Sequence, residues 1–212
     1  MNSLIGIGVT SFIVALSGAL MPGPLLTATV GESARYGPRA GPLLVIGHTI
    51  LEFALVVALF LGLAPLLTNN KVTAGISLAG GAILLWLAFG MFRTLSTLSM
   101  ETAGSSKKGQ YRLITSGILV TLSNPYWSIW WATIGLAYIL QSRLWGMAGV
   151  VVFFIGHILA DLAWYSVVSF SVGKGRRFFT NAVYRGLVGF CALFLSGFAV
   201  WFLCAGIKKL FL

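Results

Sequence analysis

Residues Ile46-Gly47-His48-Thr49-Ile50-Leu51-Glu52-Phe53-Ala54 return in outline as Ile155-Gly156-His157-Ile158-Leu159-Ala160-Asp161-Leu162-Ala163. Both read I-G-H-x-x-x-acid-x-A. The chain has two histidines, and both are here. It has four acids, Glu32, Glu52, Glu101 and Asp161, and two of them are here as well. A match built from residues this scarce marks two related segments, each a polar patch set in a long apolar run.

The surroundings of those segments belong to a membrane. Of 212 residues, 58% are hydrophobic and 8% charged, against about 25% charged in an ordinary soluble domain. The mean hydropathy is +0.96. Such a chain cannot cover itself with charge, which excludes a water-soluble globule. A helix needs about 20 apolar residues to cross the hydrocarbon core. The sequence offers six such stretches, at 5–30, 42–67, 73–98, 113–139, 144–171 and 184–207. Near-continuous apolar blocks of this length favour helices over the short alternating strands of a membrane barrel. The connections are short, so the expectation is an all-α membrane protein of six transmembrane helices in one domain, 1–212. The first span has no basic stretch before it and is too long for a signal-peptide core, so it is expected to be retained. Glu32 and Glu101 fall in the expected connections and call for no special role.

Charge sets the expected orientation. Arg35, Arg39, Arg93, Lys107, Lys108, Arg112, Lys174, Arg176, Arg177 and Arg185 follow the odd-numbered spans; Lys71, Arg143, Lys208 and Lys209 lie on the other side. An excess of Lys and Arg marks the cytoplasmic face, which puts both termini outside the cytoplasm. Most of the net charge of +10 then forms a rim near anionic lipid headgroups, and nucleic acid is not an expected partner. Cys191 and Cys204 are 13 residues apart on one expected helix, about 20 Å, too far for a disulfide.

The first and fourth spans share prolines inside apolar runs, Met21-Pro22-Gly23-Pro24 and Ser123-Asn124-Pro125-Tyr126. Together with the I-G-H-x-x-x-acid pair they divide the chain into repeat one (about 1–98), a loop (99–112) and repeat two (113–212). Three helices per repeat put the second upside down relative to the first, the inverted-repeat plan of many secondary transporters.

An acid near the bilayer centre costs about 2.5–3.5 kcal/mol on insertion scales and normally faces an interior or a water path. Histidine four residues earlier shares its helix face. His48–Glu52 and His157–Asp161 are thus two polar patches that inverted repeats can bring together. Their functional reading is a site for protons or for a substrate ammonium, because burial favours the neutral form of a carboxylate. The plainer reading is a pair of internal hydrogen bonds that lock helices. Pro22 and Pro24 around Gly23 remove backbone donors and make an unbroken helix untenable; the freed groups can line a cavity. Pro125 does this more mildly, and Asn124 adds a donor and an acceptor. The plainer reading of each is a static kink. Trp127, Trp130 and Trp131 share a face, either as an aromatic wall for a cationic group or as packing and lipid contact.

No nucleotide-binding loop occurs. Gly104 to Gly109 has the spacing, but Gln110 follows. No G-x-S-x-G nucleophile motif occurs, and no cofactor is called for.

These residues resemble the LysE family of amino-acid exporters, which includes the homoserine/threonine RhtB group. The matching pieces are Pro22-Gly23-Pro24, Ser33, Gly37, Ala40-Gly41, Gly47-His48 and Gly62-Leu63, with Asn124-Pro125 later. The resemblance covers essentially the whole chain. It implies an inner-membrane secondary exporter of an amino acid or related small metabolite, driven by the proton gradient, and not an enzyme. Its site residues are then Glu52, Asp161, His48 and His157, with Pro22, Gly23, Pro24, Asn124 and Pro125 at the helix breaks. The expected partners are a small-molecule substrate, protons and the lipid bilayer, and small residues in the spans permit a homo-oligomer. The alternative cargo is a divalent metal ion, which two histidines and two carboxylates can ligate.

Overall fold

Prolines and glycines divide this apolar chain into helices. The computed structural model describes residues 3–21, 23–62, 69–97, 107–175, 178 and 180–211. Among them every regular element is helical. In order they are α1 (Leu4–Ala19), α2 (Pro24–Tyr36), a 3-10 turn (Gly37–Arg39), α3 (Ala40–Phe60), α4 (Asn70–Thr94), a 3-10 turn (Leu95–Thr97), α5 (Lys107–Leu122), α6 (Pro125–Trp130), a π turn (Trp131–Gly135), α7 (Leu136–Ser142), a 3-10 turn (Arg143–Trp145), α8 (Gly146–Gly175) and α9 (Asn181–Phe211). Among the described residues, four apolar helical stretches are long enough to cross a membrane: Pro24–Phe60, Asn70–Arg93, Tyr126–Gly175 and Asn181–Leu210. Leu4–Ala19 is a shorter one. Large side chains such as Ile13, Trp86, Phe170 and Trp201 face outward, as a lipid-facing surface requires.

The first expected span, 5–30, is two helices. Gly23 is extended (φ −148°, ψ −178°) and precedes Pro24 at the first position of α2, where a missing N–H costs nothing. The Gly23 carbonyl accepts from Thr27 N and from Thr27 Oγ1, each at 3.0 Å. Pro22 lies outside the described residues, as does Glu101. The fourth expected span breaks the same way. Asn124 (φ −100°, ψ 98°) caps α6, its Oδ1 accepting from Tyr126 N at 3.1 Å, and Pro125 opens the helix. One expectation is corrected here: Glu32 is not in a loop. Helix α2 continues past residue 30 to Tyr36, because no proline or glycine interrupts it between Glu32 and Tyr36, and Glu32 lies within it.

The helices pair across the two halves of the chain. α1 packs along α8, α3 along α5, and α4 along α9. Glycines allow the close crossings: a Cβ at Gly47 would strike the Ile114 carbonyl oxygen, one at Gly117 that of Leu44, and one at Gly156 that of Gly8. Turns recur too. Gly37 (φ 76°, ψ −160°) and Gly146 (φ 65°, ψ −159°) share a conformation that L side chains rarely adopt. Each lies eleven positions before its histidine, 37 to 48 and 146 to 157. On the far half of α8, buried Ser169 ties the helix to the α2–α3 turn, donating to the Pro38 carbonyl at 2.9 Å and accepting from Gly41 N at 2.9 Å.

Candidate functional site

Helices α3 and α8 bring their I-G-H-x-x-x-acid segments face to face. Glu52, Asp161, His48 and His157 are all buried. His48 Nε2 lies 3.0 Å from Glu52 Oε1 and 3.5 Å from Asp161 Oδ2. His157 Nε2 lies 3.3 Å from Glu52 Oε1 and 3.5 Å from Asp161 Oδ2. Each imidazole therefore spans both carboxylates, one from its own helix and one from the other. The i, i+4 spacing sets the first contact; the packing of α3 near α8 sets the second.

The two carboxylates differ in their other neighbours. Trp127 Nε1 and Trp131 Nε1 donate to Glu52 Oε1 at 3.0 and 2.9 Å. Both indoles come from the stretch just after the Asn124–Pro125 break and are i, i+4. Trp131 is fully buried. Among the described residues, Asp161 Oδ2 and Glu52 Oε2 have no hydrogen-bond partner of good geometry. Thr121, on the last turn of α5, holds the other nitrogen of His48, with Oγ1 2.8 Å from Nδ1. The His157 ring rests between the Trp130 and Trp131 rings, at centroid distances of 5.1 and 5.0 Å.

These side chains line a small cavity of about 60 Å³ together with Asn124, Tyr165, Ala19 and Leu25. That volume suits a few water molecules. Trp130 and Trp131 also belong to an apolar cluster with Ile7, Val56, Leu59, Ile139, Val150 and Phe153. The four expected polar residues and Asn124 thus share one place. Gly23 and Pro24 shape the first break without lining the cavity; that break contributes Ala19 and Leu25 instead. Sequence reasoning missed Thr121 and Tyr165, and it read the tryptophans as an aromatic wall or as lipid contact. Two of them are hydrogen-bond donors to an acid. Their i, i+4 spacing behind a helix-opening proline was the available signal.

Chemically, two carboxylates and two imidazoles can hold up to two extra protons at no net charge. Loss of a proton leaves a net negative site that attracts a cation. Ligand atoms, one each from His48, Glu52 and Asp161, lie within 4.8 Å of one another, a spacing that a metal ion could also use.

Residues 16–206 match the family described as LysE type translocator. The chain belongs to the LysE family. Among curated relatives, it is 23% identical to the putative amino acid efflux protein YcgF of Bacillus subtilis, over 93% of this chain and 95% of that protein. It is 26% identical to the chemotactic transduction protein ChpE of Pseudomonas aeruginosa, over 92% and 97% of the two chains. It is 32% identical to the uncharacterized membrane protein YahN of Escherichia coli, over 74% and 71%. No solved structure matches. This LysE-type chain is accordingly a membrane transport protein, built from apolar helices around a buried histidine–carboxylate cluster.

Proposed function

We propose that this protein exports an amino acid or related small zwitterion across the inner membrane, in exchange for protons, with the cluster of Glu52, Asp161, His48 and His157 as the exchange site. The observation that carries this reading is the shared contact of two imidazoles with two carboxylates at distances of 3.0 to 3.5 Å. A substrate ammonium and a proton are alternative counter-charges for the same carboxylates, so binding one displaces the other. The helix break at Gly23–Pro24 presents a half-helix start near the cavity, where backbone amides suit a substrate carboxylate, and the Asn124–Pro125 break brings the Asn124 side chain to the cavity wall.

The architecture in this proposal is a single domain of six crossings in two inverted repeats, about 1–98 and 107–212, because α5 already begins at Lys107, within the stretch 99–112 expected as a loop. It draws support from the reciprocal pairing of α1 with α8 and α3 with α5, and from the matched Gly37 and Gly146 turns. The arginine-rich ends face the cytoplasm and both termini face outward. The YcgF relative, by its name a putative amino acid efflux protein, supports the substrate class. Small residues elsewhere in the spans permit a homo-oligomer.

A metal cargo is the second reading, favoured by the 4.8 Å grouping of His48, Glu52 and Asp161. One experiment separates the two. Cells expressing the protein are scored for resistance to a panel of amino-acid analogues and to zinc, nickel, cobalt and cadmium. Export of amino acids predicts analogue resistance that Glu52→Gln and Asp161→Asn remove. Metal resistance alone favours the second reading, and analogue resistance that survives both substitutions takes the acids out of the mechanism.

A further inference from the structure

A second cavity, of about 710 Å³, lies between α2, α4, α5 and α9. That is within the range of small-molecule sites, and far larger than the central cavity. Its charged lining residues are one glutamate, Glu32, and three arginines, Arg35, Arg93 and Arg112, with Thr115, Ser116 and Tyr184 beside them. The rest is mainly apolar, with Leu87, Met91, Leu119, Val120, Val188 and Leu195. Glu32 faces Arg112 at 3.7 Å between Oε1 and Nη2, a loose pair in which the arginine side chain is 54% exposed. The other oxygen, Glu32 Oε2, is buried and has no hydrogen-bond partner among the described residues. The two cavities are neighbours along two helices: Ala28 and Val120 line the large one, Leu25 and Thr121 the small one.

We infer that the large cavity is a loading site for a neutral α-amino acid with a bulky apolar side chain, and that it rejects cationic amino acids. The inference rests on the amino-acid export reading above. A zwitterion fits between Glu32 and Arg112 with both of its own charges paired. Its ammonium takes Glu32, including the unpartnered oxygen, and its carboxylate takes Arg112, which can offer two parallel donors. Its side chain lies against the apolar wall. A lysine or arginine substrate would bring an added positive charge into a cavity lined by three arginines and one glutamate, and like charges at short range repel. Release from the pair then delivers the ammonium toward Glu52 and Asp161, past Leu25 and Val120.

The test uses the full chain in proteoliposomes, with L-phenylalanine and L-lysine as probes. Glu32→Gln and Arg112→Gln should each raise the phenylalanine KM by about tenfold or more, the cost of a lost charge-assisted bond, while Vmax changes less. Arg112→Lys should recover part of the KM. In a protein carrying Cys191→Ala, Cys204→Ala and Ser116→Cys, phenylalanine should slow maleimide labelling of the new cysteine, lysine should not, and Glu32→Gln should remove the protection. Labelling also reads a variant too slow to transport. Equal protection by lysine overturns the substrate class. Protection by phosphatidylethanolamine in the bilayer, with no amino acid present, overturns the proposal in favour of a lipid headgroup. No protection, together with amino-acid efflux that Glu52→Gln abolishes, overturns this site and leaves the export reading standing. Absence of efflux for every amino acid overturns both.

Discussion

The His48–Glu52 turn of α3 and the His157–Asp161 turn of α8 have the same spacing but different company. Glu52 Oε1 receives two indole N–H bonds, whereas Asp161 receives none from a tryptophan. Counted from the helix-opening proline, Trp127 and Trp131 stand where the first half has Leu26 and Val30. On the proposed repeat plan the acids come as a pair, and the indoles that reach Glu52 make the pair unequal. An acid held by two neutral donors keeps a defined orientation as its counter-ions come and go. The acid without such donors depends on the histidines and on whatever enters the cavity. In this account Glu52 is the fixed anchor and Asp161 the group that exchanges.

Substitutions can break this asymmetry. The largest effect belongs to Glu52→Gln, which loses the negative charge that four donors share. The initial rate of amino-acid efflux should fall about a hundredfold, the worth of two charge-assisted bonds. Asp161→Asn should reduce it about tenfold and flatten its dependence on pH. Equal losses in the two variants would erase the distinction between them. Next comes Trp131→Phe, which keeps the ring and deletes one donor to Glu52. Efflux measured under the same gradient should drop about tenfold, with a similar fall for Trp127→Phe. The control is Trp164→Phe on α8, whose Nε1 is buried without a partner; its rate should not fall. If all three tryptophan variants behave alike, the indole bonds to Glu52 carry no special weight.

The smallest transport effect is expected at the turns. Gly37→Ala and Gly146→Ala each force a Cβ into a conformation costing up to about 3 kcal/mol. Both should lower the melting temperature in detergent by similar amounts, with little change in KM. A large drop for one and none for the other would argue against equivalent roles for the two turns.

The sequence made the site legible because its signals are scarce residues at fixed spacing. Two histidines, two intramembrane acids and two proline breaks stand out in a chain with 8% charge. The i, i+4 rule places each histidine beside its own acid. What it cannot supply is the cross-contact, His48 to Asp161 and His157 to Glu52, which depends on the crossing of α3 and α8. The tryptophans were hidden for a related reason: an indole in an apolar helix reads as packing until its N–H has a partner in space. Glu32 was hidden by an assumption about length. The first apolar run ends near residue 30, but α2 continues to Tyr36, and one more turn of helix carries Glu32 from an expected loop to a cavity wall.

The central claim is that one buried cluster exchanges protons for the ammonium of an amino acid. Its most direct test loads purified protein into liposomes with a trapped pH-sensitive dye and follows proton movement as an amino-acid gradient is imposed with no initial pH difference. The account predicts proton flux opposite to the amino-acid flux in the wild type, and its loss in the Asp161→Asn protein while a slow amino-acid flux persists. Amino-acid movement in the wild type with no proton flux, or proton coupling intact in Asp161→Asn, would contradict it.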